Sequence, residues 1–534
     1  MRNQDAWRNL AEICRGADAH FLAQCADLEG VQLAFLRTLL AENAETKFGR
    51  AHGFSTIADY SDYAASVPIS RYEAFVPYIK AAVAGVPGQL TNQAPHFVET
   101  TGGSTSGAKI IPYTQGGLDS YWHAIRAWLA DLTERRNLRR GRIYFALSPV
   151  GRSGSGRIGV LPVGSPKRFA YFGSAAPHLA EISVAPAQLS ALPEFDAWCF
   201  ATCLHLLCAR DLTLIWVWSP TYLTELVRAM TRLKPVLLEA IASGRPAPYE
   251  VALSGVPVPP PDPARAAELE ALISGDTIDA RAIWPQLDTI SCWMDASSAP
   301  FATELQRLFP DAWFQAKGLM STEGAVTVPF GEGQGSPLAL ESGFFEFADG
   351  ELVRPAWELE HGRTYRVLLS NRFGLYRYDT DDLVEVVGFT GQTPRLVFKG
   401  RVGLATDLCG EKLTEEFVLS CMQAAYEGLP IFAILAPSPE PHPHYVLYAN
   451  REVDDVRIAQ FAERLETELR RNPQYAYARH LGQLSPLEIR LTGQLFERYR
   501  AWATSSGRTI AGLKAPALLP ALPAGRQAAL SAEA

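Results

Sequence analysis

The sequence predicts an α/β protein, a large multi-sheet N-terminal domain followed by a smaller α+β C-terminal domain. Three observations carry this expectation. The chain has 534 residues, more than one hydrophobic core accommodates. From Phe97 onward, short apolar runs alternate with helical stretches, the pattern of an α/β unit. Past Gly400 and Arg401 the pattern changes to short strands around one amphipathic helix. The expected divisions are 1–399 for the large domain, 400–520 for the small one, and 521–534 for a flexible tail rich in Ala, Pro and Leu.

In chain order, the first hundred residues read as helical, with Val31 to Glu42 apolar at helical spacing. Pro68, Pro77, Pro87 and Pro95 then divide the chain into short pieces. Arg142 to Leu147, Thr213 to Trp218 and Thr289 to Trp293 read as buried strands separated by helices. VPVPPPDP, residues 256 to 263, is a Pro-rich loop, and a helix resumes from Ala264 to Ile273. Tyr365 to Phe398 is rich in strand formers. In the small domain, strands are expected at 431 to 435, 445 to 448 and 487 to 491, in a sheet of antiparallel type. The helix from Val456 to about Arg470 places Ile458, Phe461, Leu465 and Leu469 on one face.

Composition narrows the function classes. With 48% hydrophobic and 20% charged residues, the chain is an ordinary globular protein. A net charge of -8 argues against nucleic acid as a partner, because phosphate binding needs a basic excess. The N-terminus is charged where a signal peptide is apolar. The most apolar stretch, Trp198 to Pro220, is interrupted by Arg210 and Asp211, so no membrane span is expected and a cytoplasmic location is. The eight cysteines form no framework. Cys199, Cys203, His205 and Cys208 spread around a helix and read as core residues, and His442 with His444 has no third ligand nearby. Zinc is therefore not expected.

The strongest chemical signal is VETTGGSTSGAK, Val98 to Lys109. Its glycines let backbone approach phosphate oxygens, and its hydroxyls and amides supply donors. It is not a Walker loop: Ala108 stands where the lysine belongs, and Ile110 replaces the metal-binding Ser or Thr. Gly154, Gly156 and Gly159 form a G-x-G-x-x-G, but VLPVGSP follows rather than a helix, so the dinucleotide reading fails. No G-x-S-x-G elbow is present.

Residues 98 to 109 resemble the AMP-binding signature of the adenylate-forming acyl-CoA synthetase and luciferase superfamily. Within it, the chain resembles the Gretchen Hagen family of auxin-responsive acyl acid amido synthetases, particularly its bacterial branch. The resemblance runs from about Phe48 to Lys514 and includes VPISRYEAFVPYI (67 to 79), KIIPYT (109 to 114), ISCWMDASSAPFA (290 to 302), KGLMSTEG (317 to 324), GLYRYDTDDLVEVVGF (374 to 389) and GRVGLATDLCGEKLTEEFV (400 to 418). It implies the adenylate-forming enzyme fold, with the active site between the two domains.

The resemblance also implies roles. Thr101, Gly103, Ser104, Thr105, Ser106 and Lys109 would hold the β- and γ-phosphates of ATP, with Thr105 also catalytic. Thr322 would contact the α-phosphate. Glu323, a catalytic residue and the metal ligand, would hold Mg2+, which suits a hard oxygen donor. Asp295, Ala296, Ser297 and Ser298 would line the adenine, where Leu319 replaces the usual aromatic. Asp382 would accept the ribose hydroxyls, Arg401 would be the hinge residue, and the catalytic Lys514 would reach the reacting phosphate. Asp379 and Asp381 stand where arginine and glycine are usual, so three carboxylates crowd together and one pKa is expected to rise. Trp122, Trp216, Trp218 and Tyr222 are candidates for the acyl pocket.

The implied reaction is adenylation of a small carboxylic acid by ATP, then acyl transfer to an amine or amino acid with release of AMP. One alternative is a ligase acting on CoA or a carrier protein. Another is a non-catalytic sensor of nucleotide or acid.

Overall fold

The computed structural model describes residues 2–100, 109–146, 156–165, 169–275, 277–402, 405–406, 408–409, 411–426, 432–438, 442–450, 454–505 and 516–519. Its centre is a four-stranded parallel sheet in the order Trp313–Ala316, Thr289–Cys292, Leu212–Trp216, Arg142–Phe145. Three of these are the strands expected from the sequence. Their residues are buried almost throughout, as in a sheet covered on both faces.

Period-2 alternation divides this sheet between two cores. Ile143, Phe145, Leu214 and Trp216 face one core, shared with Trp122 and Trp128 of helix Gln115–Arg135. Tyr144, Ile215, Ile290 and Cys292 face the other, with helices Phe195–Cys208 and Pro220–Arg232. The Cys/His cluster lies on helix Phe195–Cys208 and serves packing. The Cys203 thiol donates to the Leu226 carbonyl at 3.5 Å, and His205 Nε2 sits 3.0 Å from the Pro257 carbonyl.

The second large sheet is antiparallel, in the order Ser336–Pro337, Thr393–Arg401, Tyr378–Thr390, Thr364–Ser370, Phe344–Asp349, Leu352–Pro355. The N-terminal helices pack on it. Gln32 of helix Leu28–Asn43 donates to the Leu340 and Gly343 carbonyls, both at 3.0 Å. A hairpin, Arg157–Ile158 with Leu161–Pro162, follows the glycine run instead of a nucleotide-binding helix; Gly154 lies outside the described residues. The Pro-rich loop leads into helix Pro263–Leu272, as expected.

In the C-terminal part, helix Asp455–Leu469 buries Ile458, Phe461, Leu465 and Leu469. Its sheet corrects one expectation. Ala433–Ser438 and His444–Asn450 pair antiparallel, but His444–Asn450 and Glu488–Thr492 pair parallel. A short connection can return a strand only antiparallel, whereas two helices, Asp455–Leu469 and Pro473–His480, cross over to a parallel one. Leu518 adds a parallel bridge to Leu435 at the free edge. The expected tail, 521–534, lies outside the described residues. No helix among the described residues is long and apolar enough to cross a membrane.

Candidate active site

Strands Phe97–Thr100 and Ile110–Tyr113 pair antiparallel, with Thr100 opposite Ile110. They bracket the glycine-rich loop. Thr101, Gly103, Ser104, Thr105 and Ser106 lie outside the described residues, as does Lys514. Lys109 is described, and its Nζ donates to the Tyr378 hydroxyl at 2.9 Å. The Tyr72 hydroxyl fixes the neighbouring backbone, accepting from the Ile110 amide at 2.7 Å.

Tyr378 opens the long strand Tyr378–Thr390 and is held from behind. Arg377 adopts a left-handed φ of +44°, a conformation persisting where surroundings enforce it. Its guanidinium forms a buried ion pair with Glu346 at 2.9 Å and donates to the Ala64 and Val67 carbonyls at 2.6 and 2.8 Å. The Tyr378 hydroxyl then reaches Glu323 Oε1 at 3.5 Å. Burial, reinforced by the Glu323 carboxylate, pushes the Tyr378 phenol up, so it stays a neutral donor at physiological pH.

Thr322 and Glu323 sit on a tight turn, with reciprocal backbone hydrogen bonds between Ser321 and Gly324 of 2.9 and 3.3 Å. Tyr113 Oη donates to the Thr322 carbonyl and Asn371 Nδ2 to the Glu323 carbonyl, both at 2.7 Å. A Cβ on Gly324 would approach Leu369 to 2.9 Å, so the turn needs glycine for this contact. Glu323 is buried. Among the described residues, its carboxylate receives only the long Tyr378 bond.

Asp382 and Arg401 are directly opposed on adjacent strands, and Arg401 Nε donates to Asp382 Oδ1 at 2.6 Å. Asp382, with Glu323 and Tyr378 also contributing, raises the Arg401 pKa. A bulge precedes this pair: the register slips between Arg366 and Leu368, Thr380 donates to the Val367 carbonyl at 3.0 Å, and Asp381 takes φ +60°. Bulges re-aim side chains beside active sites. The crowded aspartates each have an arginine: Arg366 to Asp379 at 3.3 Å, Arg71 to Asp381 at 2.7 Å, and Arg401 to Asp382. The Asp381 pKa is raised, by burial first and by the Asp379 charge second, as the crowding predicts.

Asp295, Ala296 and Ser298 lie at the carboxyl ends of the parallel strands, where α/β sheets bind ligands. Ser297 is part of the same short turn, Ala296–Ser298. Ala296 has φ +50° and packs against the C-terminal core. Asp295 and Ser298 line a cleft with Trp293, Lys317, Leu319, Met320 and Phe398. Burial pushes the Asp295 carboxyl up to about 6, opposed by a hydrogen bond from the Phe398 backbone. The next helix, Ala299–Leu308, meets the C-terminal part through Phe301, whose ring lies 5.3 Å from Phe432.

The aromatic candidates separate. Trp216 and Trp218 stand 4.9 Å apart, and Trp218 lies 5.7 Å from Trp293, beside the cleft. Trp122 packs on the same side of the sheet, where a Cβ on Gly173 would meet its ring at 2.7 Å. Tyr222 lies on the opposite face, its hydroxyl 2.6 Å from that of Tyr144, and is a core residue. Sequence reasoning missed Tyr378, Arg366, Arg71 and Lys317. Tyr378, Lys317 and Arg71 lie inside recognised motifs, but only tertiary pairing distinguishes them from ordinary packing or surface residues.

The chain matches three family models in order: the GH3 family N-terminal domain over residues 18–313, the central domain over 336–401 and the C-terminal domain over 417–521. It is 24% identical to the probable indole-3-acetic acid-amido synthetase GH3.7 of Oryza sativa subsp. japonica, covering 92% of this chain and 90% of that one. The solved GH3.15 acyl acid amido synthetase superposes with a TM-score of 0.85 at 19% identity, over 96% of this chain and 95% of that one. A 2-hydroxyisobutyryl-CoA ligase in its postadenylation state superposes with a TM-score of 0.50 at 11% identity, covering 91% and 92%.

Proposed function

The chain belongs to the GH3 family, and from that premise we propose that it is an AMP-forming acyl acid–amine ligase. A carboxylate attacks the α-phosphate of ATP, giving an acyl-adenylate and pyrophosphate. An amine, an amino acid in this reading, then attacks the activated carbonyl, forming an amide and releasing AMP. The single observation that carries the proposal is the convergence of Lys109, Tyr378, Glu323, Arg401 and Asp382 in one partly buried polar cluster.

Each group has work suited to its chemistry. Lys109, next to the glycine-rich loop, offers positive charge to phosphate and is oriented by the Tyr378 hydroxyl. Asp382 has a second oxygen for the ribose hydroxyls while Arg401 holds the first. Glu323 fits Mg2+: a buried carboxylate with one long hydrogen bond among the described residues suits an ion that keeps several waters and shares phosphate oxygens. When bound there, Mg2+ supplies charge neutralisation on the phosphates. Donors preorganised around the α-phosphate stabilise the charge that builds there. The hydroxyls of Ser104 and Thr105 and the ammonium of Lys514 complete this reading.

We propose the domain boundary at 399/400, within the last residues of strand Thr393–Arg401, with Arg401 beside it as the hinge. Membership of the bacterial branch and a cytoplasmic location belong to this proposal as well, on the sequence resemblance and composition alone. The CoA-ligase alternative has weaker structural support, since the amido synthetase superposes far better. Against the sensor alternative, Asp379 and Asp381 are each paired with an arginine, Arg366 and Arg71. Acid-dependent ATP–pyrophosphate exchange tests the first half-reaction. AMP release with amino acids compared with CoA tests the second.

A further inference from the structure

Lys317 follows the last parallel strand, and its backbone is pinned. Its amide donates to the Cys292 carbonyl at 2.9 Å, and the next residue but one, Leu319, donates to Thr327 Oγ1 at 2.7 Å. The residue is 4% exposed yet lines the cleft beside Asp295. Its ammonium makes no hydrogen bond to the described residues. It lies 3.2 Å above the centroid of the Trp216 ring and 5.0 Å from that of Trp218.

Aromatic faces attract a cation but accept none of its three hydrogen bonds in the way an oxygen does. The acids nearby do not supply a counter-charge. Burial pushes the Cys292 thiol up to about 12, so it is neutral, and among the described residues no ion pair joins Lys317 to Asp295. Burial without an anion pushes the Lys317 ammonium well down. An isolated charge in such surroundings is unfavourable until an oppositely charged group arrives. In a low-dielectric site, that encounter is stronger than it is in water.

We propose that Lys317 anchors a second anionic group, a distal carboxylate, on the acid substrate, with Trp216, Trp218 and Trp293 flanking the spacer between its two carboxyl groups. This rests on the acid-adenylating reading of the site and names its substrate class: dicarboxylic acids with a flat or extended apolar spacer. The lysine is a compact charge on a long stem, so it can meet a carboxylate at the cleft floor while the other carboxyl group faces Glu323 and the phosphates.

The test uses matched acids that share a spacer and differ only in the distal carboxylate, in ATP–pyrophosphate exchange and in calorimetric binding without ATP. The wild type is expected to favour the diacid by about tenfold or more in kcat/KM, the effect of one hydrogen bond to a charged group. Lys317→Met, apolar and of similar length, should abolish that preference while changing the monoacid little, and Lys317→Arg should retain part of it. An unchanged diacid-to-monoacid ratio in Lys317→Met would overturn the proposal. So would an equal loss for both acids, or a rise confined to the KM for ATP. Should no acid support exchange, the adenylation reading fails. Calorimetry still decides the anchor, because equal diacid binding by wild type and Lys317→Met would refute it.

Discussion

Asp295 gives the clearest quantitative prediction. Its carboxyl lines the cleft, accepts one backbone hydrogen bond from Phe398, and is pushed by burial from 3.8 to about 6. A rise of about two units is worth on the order of 3 kcal/mol at 1.36 kcal/mol per unit. Because the folded state holds this proton more tightly than the unfolded state, the contribution favours folding fully below about pH 4. It is lost as pH rises through about 6. Asp295→Asn keeps the shape and cannot ionise. Denaturant unfolding of both proteins at closely spaced pH values should show the wild type losing up to about 3 kcal/mol relative to the variant between pH 4 and 6.5, with no further divergence above. A difference that is flat across this range, or one that grows in favour of the wild type as pH rises, would refute the burial argument.

Other substitutions test separate links. Ser104→Ala with Thr105→Ala removes two hydroxyl donors, each worth about 1.5–3 kcal/mol if it bonds a charged phosphate; unchanged pyrophosphate release at limiting ATP would remove the loop from the reaction. Glu323→Gln should lower activity and raise the magnesium needed for half-saturation, measured by titration of the exchange rate. Arg377→Ala strands the buried Glu346 carboxylate, and about 3–5 kcal/mol of stability should be lost, readable as a lower unfolding midpoint. By contrast, Arg71→Ala breaks an exposed pair with Asp381 and should cost no more than about 1 kcal/mol.

Much of the architecture was legible because it rests on periodicity. The helix carrying Ile458, Phe461, Leu465 and Leu469 and the three buried strands follow from spacing alone. Strand direction in the C-terminal sheet depended on reading the two intervening helices as a crossover, a property of the connection rather than of the strand Glu488–Thr492 itself. In the candidate site, motifs single out Glu323, Asp382, Arg401 and Lys109, which the structure brings together. Tyr378 was not singled out, because a tyrosine opening a strand looks like a packing residue until Lys109 and Glu323 are seen at its hydroxyl. Lys317 was equally silent, since its burial comes from Trp216, about a hundred residues earlier. Tyr222 misled for the converse reason: which face of a sheet a neighbouring helix covers is not written in the helix.

The central claim is that acid activation and amide formation occur in one site. Its most direct test is a single reaction containing ATP, Mg2+, a pool of carboxylic acids including diacids, and a pool of amino acids, followed by mass spectrometry and nucleotide analysis. AMP, pyrophosphate and a new amide are expected in equal amounts, all dependent on the acid. Pyrophosphate release that yields a thioester with CoA and no amide with any amino acid would contradict it.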